Sequence, residues 1–334
     1  MIYDVIVIGA GPCGLSTAIA AREAGLTALV LEKGAVVNTI VGYPLDTRFF
    51  STAGNLEIGG IPFITTHPHP TRDEALAYYR RVVSHFQLEV RQYEEVVAIS
   101  GTAASGFTLE TRHAGRPPGH TNRYRTRAVV FASGSYDSPN RLGVPGEELA
   151  KVHHYFREGH PFFDQHVAVI GGGNSAAEAA LSLFYAGAHV TLVHFLDDFD
   201  PRVKPWVLAD LRAWIDAGRI KTRWRRRVQE ITPASVVLIN EETGEREELA
   251  NDWVFAMIGY RPDTRLLQSL GVTVDPETLV PTHDPETMET NIRNVFIAGV
   301  LAAGALPSKV FIENGRYHGP RIVQALVDRI NRQP

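Results

Sequence analysis

Two segments of the chain repeat one pattern: a β-branched run, a glycine-rich loop and an alanine-rich stretch of helical character. In the first, Tyr3-Asp4-Val5-Ile6-Val7-Ile8 leads into Gly9-Ala10-Gly11-Pro12-Cys13-Gly14 and then Leu15 to Ala24. In the second, Val167-Ala168-Val169-Ile170 leads into Gly171-Gly172-Gly173-Asn174-Ser175-Ala176 and then Ala177 to Ala186. A Val/Ile run suits a parallel strand covered on both faces. The first glycine of each loop allows a tight turn, the second lets backbone N–H groups approach a pyrophosphate, and the third brings helix and strand together. The helix N-terminus adds partial positive charge at the phosphates. The chain is therefore expected to be α/β, with two dinucleotide-binding (Rossmann-like) domains and two bound dinucleotides.

The residue that ends the next strand after each loop separates the two cofactors. After the first loop, Thr27-Ala28-Leu29-Val30-Leu31 ends in Glu32, placed to accept hydrogen bonds from a ribose. After the second, His189-Val190-Thr191-Leu192-Val193 ends in His194. No carboxylate stands at that point, which favours NADPH, whose 2′-phosphate an acid would repel. Arg202 and Lys204 are the candidates to bind that phosphate. Asp197, Asp198 and Asp200 count for NADH instead. Gly171, Gly172, Gly173, Asn174, Ser175, Ala176 and His194 complete the predicted nicotinamide-nucleotide site.

A length of 334 residues exceeds what one hydrophobic core usually serves, so two domains are expected. A net charge of −4 offers no basic face to nucleic acid, and the cluster of Arg223 with Arg225-Arg226-Arg227 reads as a solvated edge. No apolar run approaches the ~20 residues of a membrane span, and with no basic n-region or cleavage site before the first strand no leader is expected. Cys13 is the only cysteine, which excludes an internal disulfide and fits a reducing cytoplasm. His67-Pro68-His69-Pro70 and His153-His154 match no zinc spacing, so no metal is expected.

The second loop begins near residue 166, and another strand-to-glycine segment, Asn294-Val295-Phe296-Ile297-Ala298-Gly299-Val300, returns near the C-terminus. The domains are therefore expected to be discontinuous: 1–145 with 290–334, enclosing 146–289. Crossovers are expected at Pro139 to Pro145 and at Asp284 to Asn294. Val36 to Pro70 reads as one long irregular loop wrapping a ligand. Thr71 opens a helix to His85 with Glu74 completing a capping box. The strand Ala128 to Ala132 ends in Ser133-Gly134-Ser135, a turn of the kind that abuts a flavin. Tyr43, Phe49 and Phe50 are candidates to stack on a ligand, with core packing the alternative; Glu313 and His318 are candidates to line the flavin or a dimer interface, with capping and surface roles preferred for both.

The chain resembles the bacillithiol-disulfide reductases, a group of thioredoxin-reductase-like flavoproteins. The resemblance is carried by Gly-Pro-Cys-Gly at 11 to 14, Glu32-Lys33-Gly34 with Val37-Asn38, Phe49-Phe50-Ser51, Leu56-Glu57-Ile58-Gly59, Ile61 to Thr65, Tyr78-Tyr79-Arg80, Ile297 to Val300 and Phe311 to Gly315. It implies FAD in the split domain, held by Gly9, Gly11, Pro12, Cys13, Gly14, Glu32, Lys33, Asn38, Val97, Gly134, Gly299 and Val300. It also implies NADPH in the enclosed domain, reduction of a small thiol disulfide, a homo-oligomer (dimer or tetramer), and Cys13 as the catalytic residue, forming a mixed disulfide. Three departures from thioredoxin reductase qualify this. Lys151 to His166 lacks the Cys-x-x-Cys pair, Val300 stands where relatives carry an acid, and a His-Arg-Arg is altered to His194-Phe195-Leu196. The helix N-terminus favours the Cys13 thiolate. Packing beneath the cofactor is the competing role. A ferredoxin or flavodoxin NADP reductase, or a flavin-based redox sensor, remains as an alternative function.

Overall fold

The first β-branched run forms β1 (Ile2–Ile8), and Val5, Ile6 and Val7 are fully buried, as expected of a strand inside a parallel sheet. The computed structural model describes residues 1–115, 117, 121–306 and 309–331. From β1 the chain passes into α1 (Pro12–Glu23), β2 (Ala28–Leu31), the one-turn helices α2 (Asn38–Val41) and α3 (Ala53–Leu56), and then α4 (Arg72–His85). The strands β3 (Val90–Arg91), β4 (Glu94–Thr102), β5 (Gly106–His113) and β6 (Thr121–Phe131) come next. β1 pairs in parallel with β2 and β6, whereas β4, β5 and β6 form an antiparallel meander. The stretch from 36 to 70 is not one irregular loop. Two helical turns interrupt it, and a bridge from Arg48, between those turns, to Thr71 ties it to the start of α4, where Thr71 and Glu74 form the expected capping box.

The second run is the centre of another sheet. Its strands are β7 (Val152–His153), β8 (His166–Ile170), β9 (His189–Val193), β10 (Lys221–Arg223) and β14 (Trp253–Ala256), in the order β10-β9-β8-β14-β7 and all parallel. The small strands β11 (Arg227–Ile231), β12 (Ser235–Ile239) and β13 (Arg246–Ala250) make a separate antiparallel sheet. Between β8 and β9 runs α5 (Asn174–Tyr185), and α6 (Pro205–Asp216) connects β9 to β10. Ala176, Ala177, Ala179 and Ala180 are buried against Val167, Val169, Val190 and Leu192. Methyl side chains there let the helix lie close on the sheet.

The chain then continues through α7 (Arg265–Ser269), β15 (Val295–Ile297), the one-turn α8 (Ile312–Gly315) and α9 (His318–Asn331). β15 pairs with Val129 to Phe131 of β6, which puts the C-terminal strand beside the first glycine loop's sheet. The contacts divide the chain into one unit of Met1–Val41, Thr47–Ser138 and Arg261–Pro334, and another of Gly42–Asp46 and Pro139–Tyr260. The second crossover thus falls at Tyr260/Arg261, not between Asp284 and Asn294. Residues 261 to 289 stay with the first unit, where Arg261 N–H donates to Ser138 O at 2.9 Å and Glu289 bridges Phe296. Gly42–Asp46 also departs from the expected boundary: Leu45 N–H donates to Arg157 O at 3.0 Å.

Candidate cofactor and redox site

The three glycines of the first loop meet three different environments. A Cβ at Gly9 (φ 107°) would stand 2.5 Å from Ala132 O, and one at Gly14 would stand 2.0 Å from Gly9 O. At Gly11 it would meet nothing within 4 Å. Two glycines therefore close the packing of loop, β6 and α1, while the middle one borders open space. Gly11 is also the N-cap of α1, with no side-chain cap and Pro12 at the first helical position. The helix's leading N–H groups are left to an anion. Glu32 accepts hydrogen bonds from Ala10 N–H (2.7 Å) and Gly34 N–H (2.8 Å), fixing its carboxylate beside the loop. Burial chiefly pushes its pKa up, opposed by these two bonds. Val37, a β-branched residue at φ 52°, is buried and donates its N–H to Ala10 O at 3.0 Å. Such strain persists where the surroundings over-determine it. These features fit the adenosine and pyrophosphate of a dinucleotide.

Lys33 and Asn38 line a cavity of about 430 Å³ together with Gly34, Glu95, Arg112 and Ala114. Lys33 also pairs with Asp137 at 3.0 Å, a partner that no sequence motif flags. Gly134 has φ 71° and open space where a Cβ would be, as the turn after β6 requires. Val97 is 40% exposed on β4, at a register irregularity between Val96 and Ala98.

Cys13 lies at the second position of α1, with its sulfur between the C-terminal glycines. A Cβ at Gly299 would stand 3.1 Å from Sγ, and one at Gly315 would stand 2.9 Å from it. Gly299 has φ 72° and opens the short turn Gly299–Ala303 that contains Val300. Burial pushes the Cys13 thiol up to about 12. His318 supports the same turn: its Nδ1 accepts a hydrogen bond from Gly299 N–H at 3.2 Å. Burial first, then Arg321 and His283, lower the His318 pKa to about 4. Half-buried at the start of α9, it holds the Gly299 turn in place.

A depressed histidine pKa makes a checkable contribution. The fold favours neutral His318, so this stabilisation is complete above pH 6.5 and is lost as pH falls from 6.5 through 4. Discounted for partial exposure, it is worth up to about 2 kcal/mol. Urea unfolding at pH 7 and pH 4.5 should show this loss in the wild type and a smaller one in His318→Gln. Equal pH dependence in the two proteins would remove His318 from the account.

The second loop repeats the packing with one relaxation. A Cβ at Gly171 (φ 138°) would stand 2.4 Å from Met257 O, and at Gly173 it would meet nothing within 4 Å. Gly173 is the uncapped N-terminus of α5. His194 is 7% exposed, and its Nε2 is 2.5 Å from where a Gly172 Cβ would be. Neither of its ring nitrogens has a hydrogen-bond partner. Asn174 holds the two ends of the 202–204 turn: its Nδ2 donates to Arg202 O and its Oδ1 accepts from Lys204 N–H. Ser175 is exposed in the first turn and Ala176 is buried. An uncapped helix, an open glycine cradle and unpaired buried nitrogens fit a second dinucleotide.

Two expectations about charge need correction. The acids counted in favour of NADH are neutralised: Asp197 pairs with Arg225, Asp198 with Arg212 and Asp200 with Arg202. The arginine cluster is not a plain solvated edge, because Arg223, Arg225, Arg226 and Arg227 pair with Glu247, Glu242, Glu245 and Glu241 of the β12–β13 hairpin. Among the described residues no group of three His, Cys, Asp or Glu could hold a metal ion, and no helix is long and apolar enough to cross a membrane.

Comparison with known proteins agrees with this geometry. The family model "Pyridine nucleotide-disulphide oxidoreductase" matches residues 6–299. The Bacilliredoxin reductase Bdr of Bacillus subtilis is 45% identical over 328 residues, covering 98% of each chain. The solved Bacillithiol Disulfide Reductase Bdr (YpdA) of Bacillus cereus superimposes with a TM-score of 0.95 at 44% identity, over 98% of this chain and 100% of that one. Its counterpart from Staphylococcus aureus gives 0.91 at 42% identity, over 98% and 99%. Such likeness, with two dinucleotide cradles, makes the cofactors FAD and NADPH. The chain belongs to the pyridine nucleotide-disulphide oxidoreductase family and is a flavoprotein disulfide reductase.

Proposed function

We propose that the protein oxidises NADPH and cleaves the disulfide of a low-molecular-weight thiol, with bacillithiol disulfide as the substrate: NADPH + H⁺ + RSSR → NADP⁺ + 2 RSH. The observation that carries this reading is the lone cysteine, Cys13, seated in the first glycine loop. A chain with one cysteine cannot hold the dithiol that a thioredoxin-type relay needs, so the substrate supplies the other reacting sulfurs. The unit containing β1 holds FAD, through Gly9, Gly11, Pro12, Gly14, Glu32, Lys33, Asn38, Gly134 and Gly299. The unit containing β8 holds NADPH at Gly171, Gly172, Gly173, Asn174 and His194. When bound, FAD accepts a hydride from NADPH and makes its two electrons available to sulfur.

Cys13 acts as thiolate. It attacks one sulfur of RSSR, forming a Cys13–SR bond and releasing RS⁻. Two electrons then restore the Cys13 thiolate and release the second RS⁻, and the two thiolates take up one proton from NADPH oxidation and one from solvent. The α1 N-terminus favours the thiolate, while burial holds the thiol protonated. The same burial supports a second reading, in which Cys13 packs Gly299 and Gly315 and has no chemical part.

Steady-state NADPH oxidation with bacillithiol disulfide, oxidised thioredoxin and a one-electron carrier tests the function. Turnover should depend on bacillithiol disulfide; a preference for ferredoxin or flavodoxin would replace this reading with electron transfer. The protein is further proposed to act in the cytoplasm as a homo-oligomer, without binding nucleic acid.

A further inference from the structure

We infer that the 2′-phosphate of NADPH is recognised by Arg225 and Arg227, from the turn after β10, and not by Arg202 from the loop after β9. The inference rests on the reading of the second unit as the NADPH site.

β9 and β10 are parallel neighbours, with Arg223 opposite Val193. Their C-terminal ends, where a nucleotide ribose meets such a sheet, therefore lie side by side. The turn after β10 is pinned to the loop after β9 at three points. His194 N–H donates to Arg223 O (3.0 Å), Arg226 N–H to His194 O (3.1 Å) and Arg225 N–H to Leu196 O (3.0 Å). Arg225 adopts φ 55°, the conformation that lets the turn reverse there. Cations carried by this turn are thus fixed beside the ribose end of the loop.

The two candidate sources of charge differ in how they are engaged. Arg202 grips Asp200 as a fork, through Nε at 2.8 Å and through Nη2. The pair drives the Asp200 carboxyl down to about 2, and Asp200 N–H donates to Gly172 O at 2.9 Å. Arg202 therefore neutralises the acid that anchors the loop to the glycine turn. Arg225 instead touches two separate carboxylates with one nitrogen each, Asp197 at 3.0 Å and Glu242 at 3.5 Å, and its side chain is half exposed. Arg227 reaches Glu241 through Nε alone. Its guanidinium lies 4.3 Å from the centre of the Phe195 ring, so its terminal nitrogens can meet an anion while the ring holds its plane.

Buried groups with unmet hydrogen-bonding capacity belong to residues of these two segments. Both nitrogens of His194 and Nε of Arg226 are buried without a partner. Native structures seldom leave such atoms unpaired unless a ligand or water completes them. A phosphate dianion beside His194 would supply acceptors, and guanidinium groups match its oxygens two at a time.

Calorimetric titration of the FAD-loaded protein with 2′,5′-ADP and with 5′-ADP reads this site without turnover. The wild type should bind 2′,5′-ADP at least about tenfold more tightly than 5′-ADP. Arg225→Gln and Arg227→Gln should each weaken 2′,5′-ADP by about tenfold and leave 5′-ADP within about twofold, whereas Arg202→Gln should keep the preference. Loss of the preference in Arg202→Gln, or its survival in both other variants, overturns the assignment alone. A wild type that binds the two nucleotides equally overturns the NADPH reading and the assignment together. Full FAD content in each variant confirms that the fold is kept.

Discussion

Cys13→Ser should lower turnover of bacillithiol disulfide at least about a hundredfold while FAD stays bound and NADPH still bleaches it at close to the wild-type rate. A serine hydroxyl neither ionises near neutral pH nor forms the sulfur–sulfur bond on which the exchange depends. The substitution changes little else. Serine is smaller than cysteine, and the neighbours of the sulfur are the glycines Gly299 and Gly315. The pH dependence is a second arm of the same prediction. With the thiol pushed up to about 12 by burial, the thiolate fraction rises about tenfold per pH unit throughout the accessible range. Alkylation of the wild type by iodoacetamide should therefore climb steadily from pH 7 to pH 10 without levelling. Stability runs the other way: the contribution of the protonated thiol is present below pH 9 and is lost as pH rises toward 12. Undiminished disulfide turnover by Cys13→Ser would sink the redox role and leave Cys13 as packing.

The parts of this molecule that are legible in the sequence are those specified by neighbours along the chain. The strand, glycine loop and helix of each unit need only local patterns, and Glu32 at the end of β2 is set by strand length. The capping box at Thr71 and Glu74 is likewise a matter of spacing. Features set by distant residues are not legible. The crossover at Tyr260/Arg261 depends on Pro139 bridging Tyr260 and on Arg261 joining Ser138, and the irregular composition of 261 to 294 hides it. The acids after β9 look hostile to a phosphate, because a sequence shows their charge but not the arginines from residues 202, 212 and 225 that offset it. The same limit applies to Cys13. Its place in the loop is plain, yet the two glycines against its sulfur, Gly299 and Gly315, come from the far end of the chain.

The largest structural effect is expected at Gly14. A methyl group there would fall 2.0 Å from Gly9 O and 3.2 Å from the Ala132 side chain. Both contacts belong to the seam where loop, β6 and α1 meet, and the nearer one is backbone that cannot rotate away. Gly14→Ala must therefore push α1 off the sheet or open the Gly9 turn, whose φ of 107° and 2.5 Å approach to Ala132 O leave no slack. Overpacking of this kind costs about 3 kcal/mol, a fall in Tm of about 6 °C or more for a unit of this size. The displaced helix would also lose its aim at the pyrophosphate, so the purified variant should carry little FAD. The second loop is the internal control. It has Ala176 at the corresponding position, and a Cβ at Gly171 would meet that methyl at 3.2 Å, so this loop already accommodates the group. Ala176→Gly should cost no more than about 1 kcal/mol, through added chain entropy in the helix. Gly14→Ala protein with one FAD per chain and a Tm within about 2 °C of wild type would mean that α1 moves without penalty. The third glycine would then not be what holds the cofactor loop in shape.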